Sequence, residues 1–204
     1  EEKQEKAKAN FDQHPMASKF DWLHEYGVVR DLVSFQGKFS DMIIFNRDLE
    51  EHDIDFEGVI ESAIFETGKP VLIVPENSEV KEFKNVVISW DGSQRCARAI
   101  SDSLPILQKA ERVTILTIEE SEKDIGSVQN LISYLDSHSV KAEHKDVKKA
   151  TNSIGETLLE TAVEIKSDLI VMGAFSHSRM RQMVLGGVTR YILKHADLPI
   201  FMEH

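Results

Sequence analysis

Residues 169–172 read Leu-Ile-Val-Met, an unbroken apolar run closed by Gly173. A run this short and this continuous is a strand buried on both faces, and such strands belong to parallel sheets with helices packed on either side. After Gly173 the chain turns polar and basic over residues 177–182. Gly186-Gly187 then opens a segment of helical character, 188–195. A strand that passes through a glycine-bearing loop into a helix N-terminus is built to receive an anion. Glycine lets the backbone approach closely, and free N–H groups together with the helix dipole attract negative charge.

The surrounding sequence supplies the rest of such a fold. From Phe83 onward, strands are expected at 86–90, 113–118, 140–147, 169–172 and 200–202, and helices at 94–110, 125–138, 153–165 and 188–195. Pro105 should kink or end the first of these helices. The 140–147 strand is polar and therefore suits a sheet edge. The expected architecture is α/β, a parallel five-stranded sheet with helices on both faces.

The first eighty residues read as α-β-α-β-α-β: a charged helix over 1–13, a strand over 19–25, a helix over 28–37, a strand over 41–45, a helix over 56–67 and a strand over 71–74. Two stretches repeat later in the chain. Ser40-Asp41-Met42-Ile43-Ile44 parallels Ser167-Asp168-Leu169-Ile170-Val171, and Pro70-Val71-Leu72-Ile73-Val74 parallels Pro199-Ile200-Phe201-Met202-Glu203. Repeats at domain spacing mean two copies of one fold. The division is 1–80, a partial and degenerate first copy, and 81–204, a complete copy. The first copy lacks a counterpart of 86–118, so the chain is expected to be part of a longer tandem protein.

Charge separates the halves. Residues 1–80 carry eight basic and eighteen acidic side chains, net −10, whereas residues 81–204 are close to neutral at −1. No basic stripe with interleaved aromatics occurs, so nucleic acid is not an expected partner. No run of eighteen apolar residues is present, so no membrane-spanning helix is expected. The single cysteine, Cys96, precludes an internal disulfide framework and fits a reducing cytoplasm.

The loop is neither a Walker P-loop, since no Gly-Lys-Ser/Thr follows, nor the dinucleotide Gly-x-Gly-x-x-Gly. It resembles the ATP-loop of the universal stress protein family, Gly-x2-Gly-x9-Gly-Ser/Thr. Gly173 and Gly186 hold two of the marked positions; Ser176 stands for the middle glycine and Gly187 for the final hydroxyl residue. Val86-Val87-Ile88-Ser89-Trp90-Asp91-Gly92-Ser93 resembles the family's first strand with its nucleotide-contacting aspartate. Lys194-His195-Ala196-Asp197-Leu198-Pro199-Ile200-Phe201 resembles its last helix and strand.

The resemblance implies the adenine-nucleotide alpha-hydrolase-like fold and a cytoplasmic stress-response protein. The implied cofactor is ATP, or ADP or AMP, with Mg2+ as accompanying ion. Base and ribose would lie near Ser89, Trp90, Asp91 and Ile118. The phosphates would lie on Gly173, Ser176, Gly186, Gly187, Val188 and Thr189, with Met172 also in the nucleotide site; Arg179, inside the loop, is placed to reach a β- or γ-phosphate. It also implies pairing through the last strands, here Val71–Val74 and Ile200–Met202, within a chain or between chains as a dimer. The alternative function is an interaction module of the same fold that has lost its nucleotide.

Other clusters read as structure. Asp91-Gly92-Ser93 before a helix is also good capping chemistry. Asp48, Glu51, His52, Asp53 and Asp55 are acidic but lack a metal-ligand spacing. Glu156, Glu160 and Glu164 share one solvated helix face. No arrangement of Ser, His and Asp or of Cys and His suggests a nucleophile, so binding and signalling is expected rather than catalysis, with slow ATP hydrolysis left open.

Overall fold

The structure, a computed structural model, describes residues 2–47, 55–76, 78, 82–118, 125–149, 153–174 and 186–204. In chain order it comprises α1 (Glu2–Gln13), a 3-10 turn (Ala17–Lys19), α2 (Val29–Gly37), β1 (Ile43–Arg47), α3 (Phe56–Thr67), β2 (Val71–Pro75) and β3 (Asn85–Ser89). There follow α4 (Gln94–Leu107), β4 (Arg112–Ile118), α5 (Ile125–Ser137), β5 (Ala142–Val147), α6 (Ile154–Glu164), β6 (Leu169–Gly173), α7 (Gly187–His195) and β7 (Ile200–Glu203).

All seven strands form one sheet in the order β1-β2-β7-β6-β3-β4-β5. The five strands expected for the second half are its contiguous part, β7-β6-β3-β4-β5; β1 and β2 extend it to seven. Every neighbouring pair is parallel except β2 and β7, which run antiparallel with Val71 opposite Met202, Leu72 opposite Phe201 and Ile73 opposite Ile200. The two segments expected to pair within or between chains thus pair with each other inside this one. Each has its second neighbour too, so neither is a free edge; the edges are β1 and β5.

Two apolar layers sandwich the sheet. On one face α3, α6 and α7 bury Ile60, Ile64, Leu158, Ala162, Ile192 and Leu193 against Ile73, Ile170, Ile200 and Met202. On the other, α4 and α5 bury Ile100, Leu107, Leu131 and Leu135 against Val86, Ile88, Ile115, Val171 and Phe201. In α4 the buried positions Cys96, Ala99, Ile100, Ser103 and Leu107 recur at helical spacing, so one stripe faces the sheet. Local caps fix where helices begin. Asp55 accepts from Gly58 N at 3.1 Å, Ser93 from Cys96 N at 3.2 Å and Ser153 from Glu156 N at 3.4 Å. Gly68, at φ 63°, stops α3 in the left-handed conformation that glycine adopts without strain.

One expectation fails. The alternating segment 19–25 is not a strand; its residues lie outside any ladder, and Trp22 packs instead on Phe11 of α1 with centroids 5.3 Å apart. Alternation alone makes no strand when no sheet edge is within reach. Pro105 sits in the last turn of α4, which stops at Leu107, three residues short of the expected 110. Among the described residues no helix is long and apolar enough to cross a membrane.

Candidate functional site

The register brings the carboxyl ends of β3, β4 and β6 side by side: Ser89 lies opposite Leu116 on one flank and Met172 on the other. Asp91 stands two residues past Ser89. Its Oδ1 accepts from Ser93 N at 2.9 Å across a turn that needs Gly92 at φ 73°. The cap of α4 therefore belongs to Ser93, and Asp91 is exposed at the rim. Trp90 behaves differently. Its N–H donates to Leu116 O at 2.9 Å, and its indole Nε1 donates to Ser127 Oγ at 3.0 Å. The ring is committed to α5, on the side away from α7.

Gly173 has a packing reason to be glycine. A Cβ there would come within 2.6 Å of Cys96 N and 3.0 Å of the Arg95 carbonyl carbon. The first turn of α4 approaches the end of β6 too closely for any side chain. Its φ is not positive, so close approach rather than backbone freedom selects the residue. Cys96, wedged at this contact, donates its thiol to Ser89 O at 3.0 Å. Burial, and next the charge of Asp91, push that thiol up to about 12, so it stays protonated and unreactive.

Across the rim lies the start of α7. Gly186 occupies the cap position at φ −64°, ψ 155°, and, being glycine, brings no side-chain cap of its own. Gly187 is exposed, and a Cβ there would meet nothing within 4 Å. Ile118 and Val188 pack half-buried at the margin of the α6/α7 core and give the rim an apolar shoulder. Met172 and Thr189 point inward, at 4% and 2% exposure, and Thr189 already has an interaction within the protein. Ser176 and Arg179, with His177 and Arg181, fall in 175–185, outside the described residues, as does the φ of Ser176. Of the acidic cluster in the first half, Asp55 caps α3, and Asp48, Glu51, His52 and Asp53 lie outside the described residues.

One group of the rim escaped sequence reasoning. Glu203 lies opposite Gly173, and its backbone carbonyl accepts from Ala174 N at 2.7 Å. Its side chain is 6% exposed, and Oε2 has no hydrogen-bond partner among the described residues. Burial first, then a hydrogen bond with Asp102 and its charge, push the carboxyl up to about 8, against the opposing pull of Arg98 and Lys69. The signal was available: strand period two puts Glu203 on the same buried face as Phe201.

Comparison with known proteins adds lineage to this geometry. The profile of the universal stress protein family matches residues 82–202. Over 143 residues the chain is 25% identical to universal stress protein Slr1230 of Synechocystis sp. (strain PCC 6803), covering 69% of this chain and 49% of that protein. The chain thus spans about half the length of the curated relative it matches. Among solved structures, a universal stress protein from Archaeoglobus fulgidus DSM 4304 superposes with a TM-score of 0.76 at 16% identity, covering 99% of this chain and 78% of that one. A universal stress protein in complex with cAMP superposes at 0.51 with 21% identity, covering 61% and 98%. Identities this low establish a shared fold.

Proposed function

The chain belongs to the universal stress protein family, and from that premise we propose that its rim binds an adenine nucleotide and that the protein acts in a cytoplasmic stress response by binding and signalling. The observation that carries this reading is the uncapped start of α7. Where α3, α4 and α6 each have an Asp or Ser accepting from the first turn, α7 offers Gly186 and open space at Gly187. Its first N–H groups and its dipole suit a phosphate. Asp91 would accept from a ribose hydroxyl or the adenine amine, with Ser89 and Trp90 holding its turn and Ile118 beside the base.

The phosphates would rest on the start of α7 at Gly186, Gly187 and Val188, with Thr189 behind them, next to Gly173 and Met172. Ser176 and Arg179 would complete the cradle from the loop. With Thr189 buried and Gly187 lacking a hydroxyl, side chains of α7 contribute little, so backbone dominates and affinity should be modest. ATP, ADP or AMP satisfies this chemistry. Mg2+ would arrive with the phosphates.

We read residues 1–80 as a partial, degenerate copy of the fold in 81–204. In support, β1-α3-β2 repeats the order β6-α7-β7, and the equivalent strands β2 and β7 meet antiparallel, as a local two-fold axis requires. No nucleotide is proposed for the first copy, where the repeat puts Asn46 in the place of Gly173 and the buried Arg47 follows it.

The test is extraction of small molecules from the purified protein, then calorimetric titration with ATP of the native chain and of Gly186→Val. Co-purified nucleotide, or binding lost in Gly186→Val, supports the reading. Absence of heat from the folded native chain overturns it in favour of an interaction module.

A further inference from the structure

Between α4 and α5, on the sheet face opposite α7, lies a cavity of about 610 Å³. Its size is that of a small-molecule pocket. Trp90 and Tyr134 form two aromatic walls, Ile100 and Leu131 the floor, and Ser127 and Asn130 the polar margin. Among the described residues no charged side chain lines it, so these residues offer no ion pair to a phosphate or carboxylate.

Both aromatic walls have a partner within the fold. The Trp90 indole is pinned by its 3.0 Å bond to Ser127 Oγ, and the Tyr134 ring is backed by His138 at a centroid distance of 4.7 Å. Preorganised aromatic faces lose little entropy on binding. Because the Trp90 N–H is already spent, hydrogen bonding falls to the Ser127 hydroxyl and the Asn130 amide. That amide presents a donor and an acceptor side by side, which a lactam edge matches.

We infer that this groove is a second binding site, separate from the nucleotide rim, for an uncharged planar aromatic ligand of one or two rings with an amide-like polar edge. The inference does not depend on nucleotide binding. Trp90 precedes Asp91 directly, so a ligand stacked on the indole would sit one residue from the rim.

The chain has two tryptophans, so Trp22→Phe leaves Trp90 as the sole reporter. In that background, titration with 2-quinolinone should change Trp90 fluorescence saturably, whereas indole-3-acetate, which is charged, should bind at least about tenfold more weakly. Ala97→Leu, a substitution at an exposed helix position lining the groove, should weaken 2-quinolinone at least about tenfold while leaving the thermal midpoint unchanged. Tyr134→Ala should do the same, and amide NMR shifts should centre on Ser127, Asn130 and Tyr134. Absence of a saturable change up to the solubility of the probe overturns the inference, as does binding unaffected by Ala97→Leu. Displacement of the probe by ATP would make the groove part of the nucleotide site and overturn its separateness.

Discussion

Arg47, the last residue of β1, donates through Nη1 to the carbonyl of Leu193 at 2.5 Å, and through Nη2 to the carbonyl of Ala196. A residue of the first half thereby closes the C-terminal end of α7, the helix whose other end forms the candidate phosphate seat. Arg47 is 3% exposed. Burial lowers its pKa and nearby Asp197 opposes that shift, but an arginine stays charged throughout. The pairing of a cation with helix carbonyls is favourable by position.

Arg47→Met should destabilise the protein by roughly 2–4 kcal/mol, since it strips the terminal carbonyls of a buried, charge-assisted partner. Arg47→Lys should recover only part of this, because a single ammonium cannot reproduce the two-pronged contact. Urea unfolding of the three proteins decides the matter. Equal midpoints would show that the contact contributes nothing.

The buried carboxyl of Glu203 predicts a pH dependence with a definite sign. Its folded pKa, about 8, lies above the value of about 4.3 expected when unfolded. The folded state therefore holds a proton that the unfolded state gives up. Stability is fully present below about pH 4, declines as pH rises through 8, and is flat above. Relative to Glu203→Gln, the native chain should lose on the order of 1–3 kcal/mol between pH 5 and 9. Thermal midpoints across that range test it; parallel profiles for the two proteins would refute it.

Gly173 and Gly187 should respond in opposite ways to an added side chain. Gly173→Ala forces a methyl against backbone at 2.6 Å and should cost about 1–3 kcal/mol in unfolding experiments. Gly187→Ser meets open space, should leave stability within about 0.5 kcal/mol, and should tighten ATP several-fold by placing a hydroxyl beside the phosphates. Tighter binding by calorimetry is the expected result, and a weaker one would remove the phosphate from this helix start.

Ser139 and Lys166 occupy left-handed positions, φ 62° and 55°, just past α5 and α6. Both sit in Schellman motifs: Val140 N bonds to Leu135 O at 2.9 Å, and Ser167 N to Ala162 O at 2.8 Å. Glycine is the residue these turns prefer, so Ser139→Gly and Lys166→Gly should each stabilise by about 0.5–1.5 kcal/mol. The sites lie on different helices, so the double variant should show the sum in chemical denaturation.

What could be read from the sequence follows from how much each residue's fate depends on its neighbours in the chain. β6, α3 and α6 have apolar periodicity and their own stop or cap signals in Gly68 and Ser153, and they emerge within a residue or two of expectation. The strand expected at 19–25 needed a partner that no local pattern could announce. The joining of β1 and β2 onto β7 to make seven strands was foreseen only as a choice between pairing within and between chains. At the rim, Gly173 was read for its loop, whereas its constraint comes from α4, about eighty residues earlier. Trp90 was placed near the base through the resemblance of residues 86–93, and no local pattern announced the bond of its indole to Ser127 on the next helix. Glu203 was passed over because an acid at the end of an apolar strand looks solvated until the face it occupies is known.

The antiparallel seam between β2 and β7 turns the polarity of the sheet over. Strands β3 to β7 finish at one pole, whereas β1 and β2 finish at the opposite one. Arg47 reaches the tail of α7 for that reason. The inversion also has an electrostatic result. A chain of net charge −11 directs the strand ends of its acidic half away from the pole where β3, β4 and β6 meet the head of α7, and the strand ends at that pole all belong to the near-neutral half.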